Sequence, residues 1–182
     1  MLTIEIAVYS AIAAALFFDF VNGFHDSANS IATVVGTRVL RPLYAVIIAA
    51  IANFAGPFIF GTAVAATVGK GIIQPSFSTV DVIFAGLIGA IIWDLITWYF
   101  GLPSSSSHAL IGGLIGSALL AGGTSALVFS GIEKTLTFIV VSPTLGFASA
   151  FGIALIVMFF FRNHTSSHVN KIFGRLQICS SI

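Results

Sequence analysis

Long apolar runs separated by short polar stretches dominate this sequence from near its start to about residue 161. Several of the runs approach the roughly 20 residues that a helix needs to cross the hydrocarbon core of a bilayer. Only 7% of the 182 residues are charged, whereas a soluble globular domain carries roughly 25%. We therefore expect an all-α, polytopic membrane helical bundle embedded in the lipid bilayer.

The order of the apolar runs predicts the helices. Residues 4–21 form a retained transmembrane helix, since no basic segment precedes them as in a cleavable signal peptide. Residues 22–40 are short and polar at their start, which favours a broken or re-entrant half-helix. Further helices are expected over 42–68, from 81 to 101, from the serine run to 120, and over 136–161, with loops at 69–79 and 122–131.

Charge divides the chain and suggests its orientation. We expect a transmembrane transport domain at residues 1–161 and a basic polar tail at 162–182, the start of a linker to a second repeat. If the serine-led segment crosses the membrane, five of the seven Lys and Arg residues share one side; if it re-enters, the division is nearly even. The uneven division favours an odd number of crossings with the amino terminus outside.

The net charge of +1 gives no reason to expect nucleic acid as a partner.

The first polar stretch, residues 22–33, places ligand side chains on one helix face. Asn22, Asp26, Asn29 and Thr33 are spaced by four, three and four residues. A carboxylate and two carboxamides in so apolar a segment need a wet cavity or a ligand to solvate them. This pattern is typical of a transport site. His25 is a candidate proton-coupling group because histidine changes charge near physiological pH, and it serves equally well as a structural donor.

The second polar stretch, residues 101–113, predicts the start of a helix within membrane sequence. Such a start exposes backbone N–H groups and the positive end of the helix dipole, and serine hydroxyls add neutral donors. These groups suit an oxyanion that is held and then released, although four serines after a proline are more often an ordinary loop. His108 is a second proton-coupling candidate, or a capping residue. The candidate substrate-binding residues are Ser104, Ser105, Ser106, Ser107, Asn29 and Asn22.

Carboxylates within the apolar runs predict a coupling cation. Asp26 and Asp94 would each cost about 2.5–3.5 kcal/mol at the bilayer centre, and Asp19 lies at the edge of a run, where an interface would suffice. No Lys or Arg lies deep in the runs to pair with them, so an anion would be repelled unless a cation entered too. We expect symport with sodium, a proton or a divalent metal, and no resident cofactor. The candidate cation ligands, with oxygens that hard cations prefer, are Asp26, Asn29 and Asp94.

Other functions remain open at this point. Polar half-helices also build selectivity filters, so an anion-selective channel is the main rival. A sulfate transporter would use the same neutral donors, because sulfate is also tetrahedral. An intramembrane serine protease is disfavoured because the G-x-S-x-G elbow is absent, and we expect no enzyme. Trp93 and Trp98 are most simply read as lipid-facing or interfacial residues.

Together the two polar stretches resemble the inorganic phosphate transporter (PiT) family. The resemblance rests on NGFHDSANSIAT at residues 22–33 and GLPSSSSHALIGG at residues 101–113. It implies inorganic phosphate as substrate, with Asp26 and Asn29 lining the cation and phosphate site and Ser104 to Ser107 meeting the phosphate oxygens. His25 stands where many members have Asn. The bacterial metal-phosphate/proton branch is similar there, which favours proton over sodium coupling.

The resemblance also implies that this chain is the N-terminal half of an inverted-repeat transporter. Family members carry each motif twice, in two homologous halves of opposite orientation. We therefore expect the partner to be a missing C-terminal repeat or a second copy of the chain. The expected location is the cell membrane, as a multi-pass protein of a bacterial inner membrane.

Overall fold

The computed structural model describes residues 2–60, 71–162 and 166–180. Six α-helices lie within these ranges: α1 (Leu2–Gly36), α2 (Pro42–Phe60), α3 (Val80–Tyr99), α4 (Ser106–Gly122), α5 (Phe129–Phe161) and α6 (Ser166–Ser180). By length and composition, five of them, α1 to α5, could cross a membrane. The prediction of an all-α polytopic membrane protein is confirmed.

Helix α1 runs without interruption through the first polar stretch. It contains 35 residues, which corresponds to roughly 50 Å at 1.5 Å per residue, longer than the roughly 30 Å hydrocarbon core. The predicted break after residue 21 is therefore wrong. Residues 22–33 contain no proline, and Gly23 alone costs a helix only about 1 kcal/mol, which the hydrogen bonds of a long helix offset.

The prolines inside helices do not end them either. Pro57 lies within α2 and Pro143 within α5. Residues 61–70 lie outside the described ranges, and with them the expected end of the second span at 68 and the start of the loop at 69–79. In the tail, residues 166–180 form α6. The division into a domain at 1–161 and a tail at 162–182 stays a prediction.

The chain divides into two compact units, residues 1–26 with 62–132, and residues 27–61 with 133–182. In the first unit, one apolar cluster packs α1 against α3; it consists of Ala14, Phe18, Val21, Leu87, Ala90 and Ile91. A second cluster packs α3 and α4 over the segments that flank them, and an isolated antiparallel bridge joins Ile73 to Leu127 there.

In the second unit, the end of α1 contacts α6. The Gln177 side-chain amide donates to the Thr33 carbonyl oxygen at 3.2 Å, and its oxygen accepts from the Thr37 hydroxyl at 3.1 Å. The ring centroids of Phe161 and Phe173 lie 5.2 Å apart. These contacts tie α6 to the end of the helix that carries the first polar stretch.

Helices α3 and α4 approach each other closely at two glycines. A Cβ placed on Gly113 would collide with the Gly86 carbonyl oxygen, and one on Gly86 would lie 2.9 Å from a methyl carbon of Leu114. Gly112 and Gly116 form a small-xxx-small pattern, which is typical of close helix packing, but a Cβ on either would meet nothing within 4 Å. The contact therefore uses the glycine one position further along α4.

The two neighbouring glycines of α4 give a matched pair of variants. We expect Gly113→Ala to lower the free energy of unfolding by about 1–3 kcal/mol, because its methyl group overpacks against the α3 backbone. Gly112→Ala should leave it unchanged or raise it by up to about 1 kcal/mol, because alanine favours the helix. Thermal unfolding in detergent measures both, and equal shifts for the two variants would contradict the close approach at Gly113.

Candidate functional site

Helix α3 brings the two polar stretches together. Three of its residues lie within one turn and face them: Trp93, Asp94 and Thr97. Asp94 and Thr97 are 0% and 2% exposed, and all the contacts described below lie within the first unit. The site is therefore built from α1, α3 and the start of α4.

Asp94 is a fully buried carboxylate. Its electrostatic neighbours are His25, Ser106 and Asp26. Ser106 faces it, but among the described residues no side chain or backbone group completes a hydrogen bond to either Asp94 oxygen. A buried carboxylate without such partners is costly, so this position is one that a cation would stabilise.

His25 lies between Thr97 and Asp26. Its side chain is 9% exposed; its Nε2 lies 3.5 Å from the Thr97 hydroxyl, and its Nδ1 lies 3.5 Å from Oδ1 of Asp26. The Thr97 hydroxyl donates to the carbonyl oxygens of Trp93 and Asp94 at 3.0 and 3.1 Å. Its oxygen also faces His25 Nε2, and the tautomer of His25 decides which of these two groups donates.

The contacts of His25 involve only some of the polar residues of the first polar stretch. Asp26, whose side chain is 41% exposed, pairs with His25, and Asn22 lies half-buried one turn before it on α1. The adjacent Phe24 ring packs on Trp98 with 5.1 Å between centroids, which holds α1 against α3. The side chain of Asn29 lies outside what the structure describes, so its predicted role in cation and substrate binding stays a prediction.

The serine run divides into residues that face α3 and residues that do not. Ser105 caps α4, its hydroxyl accepting from the His108 backbone N–H at 3.4 Å. Ser106 is 1% exposed, and its hydroxyl has no hydrogen-bond partner among the described residues. Ser104 is half-buried and accepts from the Trp93 indole N–H at 3.3 Å. The side chains of Ser107 and His108 are exposed.

A metal-binding group of the usual kind is not present in the described residues, where no three His, Cys, Asp or Glu side chains are placed to hold an ion. Sodium also binds hydroxyl, amide and carbonyl oxygens, so this finding does not bear on an alkali cation at Asp26 and Asp94. The arrangement combines two carboxylates and an imidazole with neutral hydroxyl donors. Such a site can hold a cation and an oxyanion side by side.

Sequence reasoning missed the roles of two α3 residues. Trp93 and Trp98 are 53% and 52% exposed, which agrees with a lipid-facing or interfacial position. In addition, the Trp93 N–H reaches Ser104 and the Trp98 ring packs on Phe24. Thr97, three residues after Asp94, shares its helix face, but the contact of Thr97 with His25 is not visible in the sequence. The available signal was spacing, because residues 93, 94 and 97 share one helix face, and an indole N–H in an apolar segment needs an acceptor.

Comparison with known proteins identifies close relatives. A family model described as "Phosphate transporter family" matches residues 22–180. The chain is 55% identical over 170 residues to a probable low-affinity inorganic phosphate transporter of Rhizobium meliloti (strain 1021), covering 93% of this chain and 51% of that protein. It is 45% identical over 174 residues to the protein of the same description in Bacillus subtilis (strain 168), with the same coverages.

A solved structure shares the fold. It is described as "The sodium-dependent phosphate transporter" and matches with a TM-score of 0.77 at 30% identity, over 85% of this chain and 40% of its own. The chain thus spans about half the length of the two curated relatives it matches above.

The buried carboxylate gives a prediction about stability. We expect Asp94→Asn to raise the free energy of unfolding by about 1–3 kcal/mol, because a neutral amide is less costly to bury than an unpaired charge. Asp81→Asn, the same change at an exposed position of α3, should be neutral or slightly destabilising through the helix dipole. Thermal unfolding in detergent compares the two variants with the parent protein. A midpoint for Asp94→Asn below that of the parent would show that the carboxylate has a stabilising partner.

Proposed function

This chain belongs to the phosphate transporter family, and we propose that it forms the anion and cation site of an inorganic phosphate transporter that works by cation-coupled symport. Both the substrate and the coupling are part of the proposal, because the chain spans only about half the length of its curated relatives. The neighbouring solved structure is described as sodium-dependent, which supports cation coupling of some kind.

The observation that carries the proposal is the charge balance of the first unit. Its described residues include five carboxylates and neither a Lys nor an Arg; the carboxylates are Glu5, Asp19, Asp26, Asp81 and Asp94. One of these, Asp94, lies beside the Ser106 hydroxyl, and Asp26 is an electrostatic neighbour of Asp94. Phosphate would be repelled from this site unless a cation entered with it, because no Lys or Arg among the described residues of this unit offsets the two carboxylates.

Each group has a separate task in this mechanism. The hydroxyls of Ser104 and Ser106, with the N-terminus of α4, donate to the phosphate oxygens. Ser105, Ser107, Asn22 and Asn29 are the further substrate-binding candidates. Asp26, Asp94 and Asn29 are the candidate cation ligands.

His25 favours a proton as the coupling ion, since it lies against Asp26 and Asp94 and can carry a proton between them. A sodium ion bound by the carboxylates is the alternative, and a divalent metal could accompany phosphate as a complex. The exposed His108 is the weaker proton-coupling candidate, because its side chain lies away from the buried carboxylates.

The complete transport site requires a second half in this proposal. Either a C-terminal repeat or a second copy of the chain would cover the polar groups and allow alternating access about the site. The protein would then act as a multi-pass protein of the cell membrane.

Uptake of radiolabelled phosphate into proteoliposomes tests the proposal, with proton and sodium gradients imposed separately. We expect accumulation against the phosphate gradient when a proton gradient is present. Accumulation excludes a channel, which cannot concentrate its ion, and competition by unlabelled sulfate tests the choice of anion. Absence of uptake by folded, inserted protein would mean that this chain alone is not the transporter.

Asp26→Asn should reduce coupled uptake by about tenfold or more, because a charge-assisted contact contributes about 1.5–3 kcal/mol. Asp19→Asn is the matched control, since it makes the same change at an exposed position of the same helix, and it should leave uptake unchanged. Unchanged uptake by Asp26→Asn would remove this carboxylate from the mechanism.

A further inference from the structure

We propose that Trp93 is a positioning residue that directs the Ser104 hydroxyl toward the bound oxyanion. This inference rests on the proposed function, because it assigns a role within the phosphate site. It starts from the hydrogen bond of 3.3 Å between the Trp93 indole nitrogen and the Ser104 hydroxyl oxygen.

The chemistry of the two groups fixes the direction of this bond. An indole N–H can only donate, whereas a serine hydroxyl has one proton and two acceptor positions. Ser104 therefore accepts from Trp93 and retains its own proton for another acceptor. A phosphate oxygen is such an acceptor, and a hydrogen bond to an anion is stronger than one between neutral groups.

The turn between α3 and α4 brings Ser104 back over Trp93. Gly101 has φ of 63°, a conformation that glycine adopts without steric cost. The Gly101 N–H donates to the Trp98 carbonyl oxygen at 3.1 Å, and the Leu102 N–H donates to that of Thr97 at 2.8 Å. These bonds end α3 in a Schellman motif. The motif fixes the direction in which the chain leaves α3 toward the serine run.

The backbone of Trp93 makes a second contact, within α3. Its carbonyl oxygen accepts from the Thr97 hydroxyl at 3.0 Å, the same hydroxyl that faces His25. Trp93 therefore contacts the threonine that faces His25 through its backbone, and the first serine of the second polar stretch through its indole. Because it donates without carrying charge, it can orient Ser104 without strengthening phosphate binding to the point where release would be slow.

The two tryptophans of the chain make the inference testable. Trp93→Phe keeps an aromatic ring and removes the N–H. Trp98→Phe is the matched control, because Trp98 contacts Phe24 through its ring, and phenylalanine keeps a ring there. We expect Trp93→Phe to raise the phosphate KM of uptake by roughly three- to tenfold, the loss of one hydrogen bond, with little change in maximal rate. Trp98→Phe should change neither quantity.

A spectroscopic measurement tests the same bond without transport. In Trp98→Phe protein, Trp93 is the sole tryptophan, so its fluorescence should respond to added inorganic phosphate, and adding Ser104→Ala should abolish the response. Combining Trp93→Phe with Ser104→Ala should raise KM no further than Ser104→Ala alone.

The outcomes separate the inference from the proposed function. If the parent protein binds and transports phosphate and Trp93→Phe has the same KM, the role of Trp93 is refuted while the proposed function stands. Additive effects of Trp93→Phe and Ser104→Ala would refute it as well. If folded parent protein neither binds nor transports phosphate, the proposed function fails and the role of Trp93 fails with it.

Discussion

The close approach of α3 and α4 at Gly86 and Gly113 is the contact on which the site depends. Asp94 lies eight residues after Gly86, and Ser106 seven residues before Gly113, which corresponds to about 12 and 10.5 Å along the two helices. Because the helices are joined by a short turn and run in opposite directions, these distances bring Ser106 opposite Asp94. A side chain at the crossing would separate the backbones and draw the serine run away from the carboxylate.

Much of the site follows from residue types that the sequence displays directly. The polar residues of 22–33 and the serine run stand out because apolar sequence surrounds them, and the structure brings His25 and Asp26 of the first stretch near Ser106 of the second, around Asp94. Asp94 itself was predicted because a carboxylate is rare within a membrane segment. Composition and periodicity likewise predicted the all-α membrane fold, which depends on local properties of the chain.

Sequence reasoning failed where the outcome depends on contacts between helices. The continuity of α1 was missed because polar residues suggested a break, whereas a helix satisfies its backbone whatever its side chains. Gly112 and Gly116 matched a packing pattern, but only the rotation of α4 against α3 shows that Gly113 is at the contact. Trp93 and Thr97 were not assigned their partners, because Ser104 and His25 reach them through a turn and a neighbouring helix.

The neutral character of the donors is what makes coupling an expected property of this site. With no Lys or Arg in the described first unit, the attraction between protein and anion varies with the charge that the cation supplies. A cation at Asp26 and Asp94 strengthens anion binding, and by linkage the anion strengthens cation binding by the same factor. An arginine in place of a serine would hold the anion whether or not the cation were present, and that reciprocity would be weakened.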